Sequence, residues 1–164
     1  MDTLTQDFLQ SILSYDKQTG AFVWIVSPAK NVFVGSVAGN ISNIGYRVIK
    51  IKGKSYKAHR LAWLYEYGKF PIQQIDHING NRSDNSIVNL RLASQTQNSQ
   101  NKIRKPKNKS GYKGVSVERN GKFRAHIRVN RKLVSLGTHE TAKEAHAAYC
   151  NAARELFGEY ARFN

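Results

Sequence analysis

The chain has a single cysteine, Cys150, among its 164 residues. One thiol forms no intramolecular disulfide and builds no Cys-rich zinc site, so no structural zinc is expected. Proline is scarce, at three residues. No apolar run reaches the roughly 18 residues that a membrane-spanning helix needs. The opening MDTLTQDFLQSILSYD lacks the basic start and the continuous apolar stretch of a signal peptide, so a reducing cytoplasmic compartment and no membrane are expected. Acidic residues are also few: 11 Asp and Glu stand against 26 Lys and Arg, a net charge of +15. That balance speaks against an acid-surfaced metabolic enzyme and for a polyanionic partner, nucleic acid first.

The basic charge is uneven. Twelve Lys or Arg and one acid, Glu118, fall between Lys102 and Lys132. Within that stretch KIRKPKNKS, residues 102–110, has one large apolar residue and a proline, which predicts a basic linker between two domains. Its lysines Lys105, Lys107 and Lys109 are candidates for phosphate contacts.

Upstream, Leu4, Phe8, Leu9, Ile12 and Leu13 predict a short amphipathic helix. AFVWIV predicts a strand, YRVIKIKGKSYKAHR a hairpin about a KGK turn, and HRLAWLYEYG a helix ended by Gly68. Downstream, YKGVSVE, FRAHIRVN and KLVSLGT alternate as three strands. TAKEAHAAYCNAARELFG then predicts one helix, with a capping box at Thr141 and Glu144 and a buried stripe of Ala145, Ala148, Tyr149, Ala152, Leu156 and Phe157. Cys150 lies in that helix as a small buried hydrophobe. The expected fold class is α+β: a β-rich N-terminal domain, then a three-stranded antiparallel sheet backed by one helix.

The residues with chemistry lie in IDHINGNRSDNSIVNLRLASQTQNSQN, residues 75–101. An adjacent Asp76–His77 pair follows an apolar residue and precedes a loop rich in Gly and Asn. Asn89 follows in apolar surroundings, then Asn98 and Asn101 in a polar stretch. A carboxylate is a hard ligand for Mg²⁺, an imidazole takes a proton from water near neutral pH, and an Asn supplies a carbonyl ligand or fixes a ring.

This segment resembles the HNH nuclease motif in its phage homing-endonuclease variant, a ββα-metal finger. The resemblance implies that Asp76 is the first metal ligand, His77 the general base, Asn89 the Asn that holds the His ring, and Asn98 the last ligand. Asn101 would share the helix face with Asn98 and competes for that role. Upstream, YDKQTGAFVW, GYRVIKI and YKAHRLAW match the region that precedes this motif in the family. His59 falls in that upstream pattern and is expected as a packed or surface histidine at a helix start rather than a catalytic one.

Residues 111–164 resemble the three-stranded DNA-binding domain of plant ethylene-response factors, the apetala-two type, through YKGV, Lys122–Phe123 and LGTHETAKEAHAAYCNAA. The helix of that domain backs the sheet, whose open face enters the DNA major groove. Alternation places Val115, Val117, Phe123, Ala125, Ile127, Val129, Val134 and Leu136 inward. It places Arg124, His126, Arg128 and Arg131 outward. Ser116, Glu118, Leu133 and Ser135 stand where that family usually carries more Arg and a Trp, so base preference is not inherited.

The resemblances imply three segments: a nuclease domain over residues 1–101 with its metal finger at about 73–101, the linker, and a DNA-binding domain over 111–164. They imply a site-selective, metal-dependent endonuclease on double-stranded DNA that uses Mg²⁺ or Mn²⁺ and no small-molecule cofactor. The alternative is a non-catalytic sequence-specific DNA-binding regulator. One-strand against two-strand cleavage, oligomeric state and target site stay open.

Overall fold

In the computed structural model, residues 4–100, 108–130 and 132–163 are described. The chain divides into two compact units, residues 1–95 and 96–164. The architecture is mixed α+β, with small antiparallel sheets in both units.

The first unit opens with helix α1 (Gln6–Ile12), capped by the Thr5 hydroxyl, which accepts from the Phe8 amide at 3.3 Å. Strands β1 (Leu13–Tyr15) and β2 (Phe22–Trp24) follow as an antiparallel pair. The strand expected over AFVWIV is shorter, and Ile25 and Val26 are exposed beyond its end. At the β1–β2 turn Gly20 adopts φ +73°, and a Cβ there would stand 2.3 Å from the Asn85 carbonyl carbon. Only glycine allows that approach.

Strands β3 (Asn40–Ile41), β4 (Arg47–Ile51) and β5 (Lys54–Lys57) form the next sheet. The β4–β5 turn is the expected one: Lys52 and Gly53 both take positive φ, the signature of a two-residue hairpin turn. Helix α2 (Ala58–Tyr67) starts at once and ends on Gly68, left-handed at φ 76°, whose amide donates to Leu64 O. Leu9, Leu13, Phe22, Ile49 and Leu61 are fully buried between these elements. Each such side chain contributes about 1.5–3 kcal/mol.

Strands β6 (Gln74–His77) and β7 (Leu90–Ala93) then pair antiparallel. A loop and a 3₁₀ turn, Ile87–Asn89, join them, and helix α3 (Gln95–Gln100) follows.

The second unit holds strands β8 (Val115–Val117), β9 (Phe123–Val129) and β10 (Lys132–His139), with β9 central, and helix α4 (Ala142–Phe157). The capping box forms as expected: the Glu144 amide donates to Thr141 Oγ1 and the Thr141 amide to Glu144 Oε2. Val115, Ala125, Ile127, Ala145, Tyr149 and Ala153 make the core. Gly114 takes φ +74° beneath Tyr149, where a Cβ would lie 2.1 Å from the ring.

Three inward expectations fail here. Val117 and Val134 are both 43% exposed, because one helix covers the central strand more fully than the edge strands. Leu156 is 51% exposed, because the buried face of α4 runs through Ala145, Tyr149 and Ala153. Cys150 is half-buried, with its thiol pushed up by burial.

Candidate active site

Asp76 and His77 close β6, and both are buried. The β6–β7 register sets Asp76 opposite Arg91, whose Nε donates to Asp76 Oδ2 at 2.9 Å while Nη2 lies 2.9 Å from the same oxygen. A buried carboxylate needs such a partner, because an uncompensated charge there costs several kcal/mol. The guanidinium also fixes which way the carboxyl group points.

The ring of His77 is met by a residue not singled out in the sequence. Asn85, fully buried, donates its Nδ2 to Ser83 O at 2.9 Å, which turns its Oδ1 toward His77 Nε2 at 3.4 Å. Oδ1 only accepts, so this contact favours the tautomer with the proton on Nε2 and the basic lone pair on Nδ1. Asn85 is itself held: its carbonyl accepts from Tyr15 Oη at 2.7 Å, and the Ile87 amide reaches Lys17 O at 3.0 Å. The β1–β2 hairpin thus clamps the loop that orients the histidine.

Asn89 works one step further back. Its Oδ1 accepts from the Asn79 amide and its Nδ2 donates to Asp84 O, both at 2.9 Å. The ring-holding position that the resemblance gives to Asn89 is occupied by Asn85, and the Asn89 side chain staples the 79–84 loop instead. Asp84 strengthens that loop by accepting from Ser86 and Asn79. Burial raises its carboxyl, but these bonds outweigh burial and hold it below the usual range.

His59 on α2 stands edge-on to His77, ring centroids 5.0 Å apart, and Tyr46 lies 5.3 Å from His59 and 6.0 Å from His77. His59 is buried, and its Nδ1 has no hydrogen-bond partner among the described residues. Burial first, then the charges of His77, Lys57 and Arg60, hold its imidazole down to about 3. Burial also holds His77 below its ordinary range; Arg82 acts in the same direction, against the raising pull of Asn85, Asp76 and Asp84. Both rings are therefore neutral near pH 7, as a proton acceptor must be. Of the packed and surface placements expected for His59, the structure shows the packed one, against the candidate base.

Asn98 lies half-buried on α3, in the stretch assigned to the second unit. Among the described residues no three His, Cys, Asp or Glu come together to hold a metal ion. Asp76 is a carboxylate and Asn98 a carboxamide, each an oxygen donor of the type that a hard dication such as Mg²⁺ accepts.

On the C-terminal sheet Arg124 and Arg128 are exposed on β9 and His126 between them is half-buried. Arg124 Nη2 meets Oε1 of Glu118, the residue after β8, at 2.5 Å, so one candidate reader is engaged by an acid. Lys109 is exposed. Lys105, Lys107, Asn101 and Arg131 lie outside the described residues.

A strand closed by Asp-His, an Asn-tied loop, a second strand and a helix is the order of an HNH-type nuclease finger. Residues 56–100 match the HNH endonuclease family and residues 110–159 match the AP2 domain. The chain is 33% identical over 156 residues to an uncharacterized HNH endonuclease of Acanthamoeba polyphaga mimivirus, covering 94% of this chain and 79% of that protein. It is 31% identical over 112 residues to Protein 3.8 of Escherichia phage T7, covering 67% of this chain and 92% of that protein. This chain belongs to the HNH endonuclease family and carries an AP2 domain after its HNH segment. Among solved structures it is similar to the HNH homing endonuclease I-HmuI, with a TM-score of 0.44 at 24% identity, over 62% of this chain and 57% of that one.

Proposed function

We propose that the chain is a site-selective DNA endonuclease of the homing type, hydrolysing phosphodiester bonds with His77 as general base. The observation that carries this is the buried Asp76–His77 pair, one member locked by Arg91 and the other by Asn85. His77 Nδ1 takes a proton from the attacking water, while Nε2–H stays on Asn85 Oδ1 and steadies the imidazolium that forms. His59, neutral and edge-on, limits ring rotation without adding charge. Asp76 and Asn98 would each offer an oxygen to a divalent cation, Mg²⁺ or Mn²⁺, which would supply charge stabilisation to the phosphodiester undergoing hydrolysis. Asn89 ties the 79–84 loop that follows His77.

A small finger covers too little DNA to choose a site, so the AP2 sheet supplies the reading surface through Arg124, His126, Arg128 and Arg131. Lys105, Lys107 and Lys109 add phosphate contacts between the two. The partner is double-stranded DNA inside the host cell. Among the described residues no helix is long and apolar enough to cross a membrane.

Incubation of supercoiled plasmid with the protein in Mg²⁺, Mn²⁺ or EDTA tests the reading. Metal-dependent relaxation that vanishes in His77→Ala supports it. Tight DNA binding without relaxation in any metal makes the chain a non-catalytic regulator.

A further inference from the structure

Two cations beside the candidate base are held in an unusual way. The Nζ of Lys57 stands 4.6 Å from the centroid of the Tyr46 ring, and the guanidinium carbon of Arg82 stands 5.1 Å from the same centroid. Tyr46 in turn lies 6.0 Å from His77 and 5.3 Å from His59. Both cations are exposed, and neither is paired with a carboxylate among the described residues.

An aromatic ring anchors a cation without neutralising it, which a carboxylate does not. The anchor is also well fixed. Tyr46 closes a tight turn in which the Ser42 amide donates to Tyr46 O at 2.8 Å and the Tyr46 amide to Ser42 Oγ at 3.2 Å. Arg82 ties the catalytic loop to that turn by donating Nη1 to Ile44 O at 2.9 Å. A guanidinium has five N–H donors in a rigid fork, so four remain. Asp76 is paired with Arg91, and Asp84, bonded to Ser86 and Asn79, makes no ion pair with either cation among the described residues. The positive charge at Tyr46 is thus left for an anion from outside.

We infer that Lys57 and Arg82, carried on Tyr46, form a phosphate-binding seat that grips the DNA backbone next to the bond cleaved by the water that His77 activates. The inference rests on the nuclease reading for its location, since the seat is defined by its distance from His77. Arg82 offers a fork suited to two phosphate oxygens, and Lys57 a point charge. The Ser42–Tyr46 turn thereby becomes part of the substrate surface, although it lies outside the segment that matches the HNH family, residues 56–100.

The test uses the full chain with EDTA present, so that binding is read without turnover. Arg82→Gln keeps a donor for Ile44 O and loses the charge; Lys57→Gln loses the other. Each is expected to lower the slope of log K against log salt by about one unit, and the double variant by about two. His77→Ala is expected to leave the slope unchanged. In Mg²⁺ both Gln variants are expected to raise KM more than they lower kcat. Thermal melting checks that each variant is folded, and Arg82→Lys, which keeps charge and loses the fork, should restore most of the slope. Wild-type slope and affinity in folded Arg82→Gln and Lys57→Gln overturn the seat. If wild type fails to cleave in any metal while the Gln variants still lose slope, the nuclease reading falls and the seat stands as a DNA contact. If wild type cleaves and the slopes do not move, the seat alone falls.

Discussion

His59 ties the stability of the first unit to pH. It is buried, its Nδ1 finds no partner among the described residues, and its pKa is held down to about 3 against an ordinary 6.5. The folded pKa is thus depressed for a basic group, so between about pH 3 and 6.5 the unfolded chain binds the proton that the folded chain refuses. Stability from this residue is present above pH 6.5 and drains as pH falls. Each pH unit is worth about 1.4 kcal/mol, so about 2 kcal/mol is lost by pH 5 and between 4 and 5 kcal/mol by about pH 3. A small domain has only about 5–15 kcal/mol in all. The depressed pKa of His77 adds loss in the same direction. Both tryptophans, Trp24 and Trp63, lie in the first unit, so their fluorescence reports that unit alone. Urea titrations at pH 7.5, 6 and 5 should show the midpoint falling. In His59→Phe, which fills the space without titrating, the fall between pH 7.5 and 5 should shrink by about 2 kcal/mol. Equal stability of wild type at pH 7.5 and 5, or the same decline in His59→Phe, refutes the argument.

Other consequences follow from the site. His77→Ala should slow cleavage by about 10²–10⁴ with DNA affinity unchanged, and Asn85→Ala, which frees the ring but keeps the base, by about 10–100-fold; single-turnover rates separate them. Asp76→Ala should lose Mn²⁺ binding and activity together, and Asn98→Ala both more mildly. Calorimetric titration in which Asn101→Ala is impaired and rescued by excess metal, while Asn98→Ala is not, would move the ligand to Asn101. Arg128→Ala should lose about 1–3 kcal/mol at the preferred DNA site and relax base choice, whereas a linker Lys→Ala should weaken all sequences equally. Arg124→Ala should cost less than Arg128→Ala, because Arg124 first leaves Glu118; binding across a base-substituted site series checks the order.

What was legible in the sequence was local. The Lys52–Gly53 turn, the Gly68 cap and the Thr141–Glu144 box are decided within a few residues, and each forms as read. Asp76 and His77 stood out because an adjacent acid and imidazole ending an apolar stretch is a chemical pattern. Arg91 did not, because its meeting with Asp76 depends on strand register across a loop. Asn85 looked like another loop asparagine; only the bond from its Nδ2 to Ser83 O turns its oxygen toward the ring. His59 was read as packed or surface; that it packs, and against what, is fixed by the meeting of α2 with β6, which no local pattern encodes. On the second sheet, strict alternation overstated burial at Val134 and Val117, since it ignores that one helix cannot cover three strands alike.

The clamp from the N-terminal hairpin bears on how such a nuclease can be moved between chains. The family-matching segment begins at residue 56, but the loop that orients His77 is gripped by Tyr15, Lys17 and the bare face of Gly20. A cassette cut at residue 56 would carry every proposed catalytic group of the first unit and leave behind the jig that aligns them. Recombination that shuffles this finger onto a new reader therefore preserves its geometry only if the breakpoint falls after α3, never inside the first unit. A designer exchanging the AP2 module faces no such restriction from these contacts, because each of them is confined to residues 1–95.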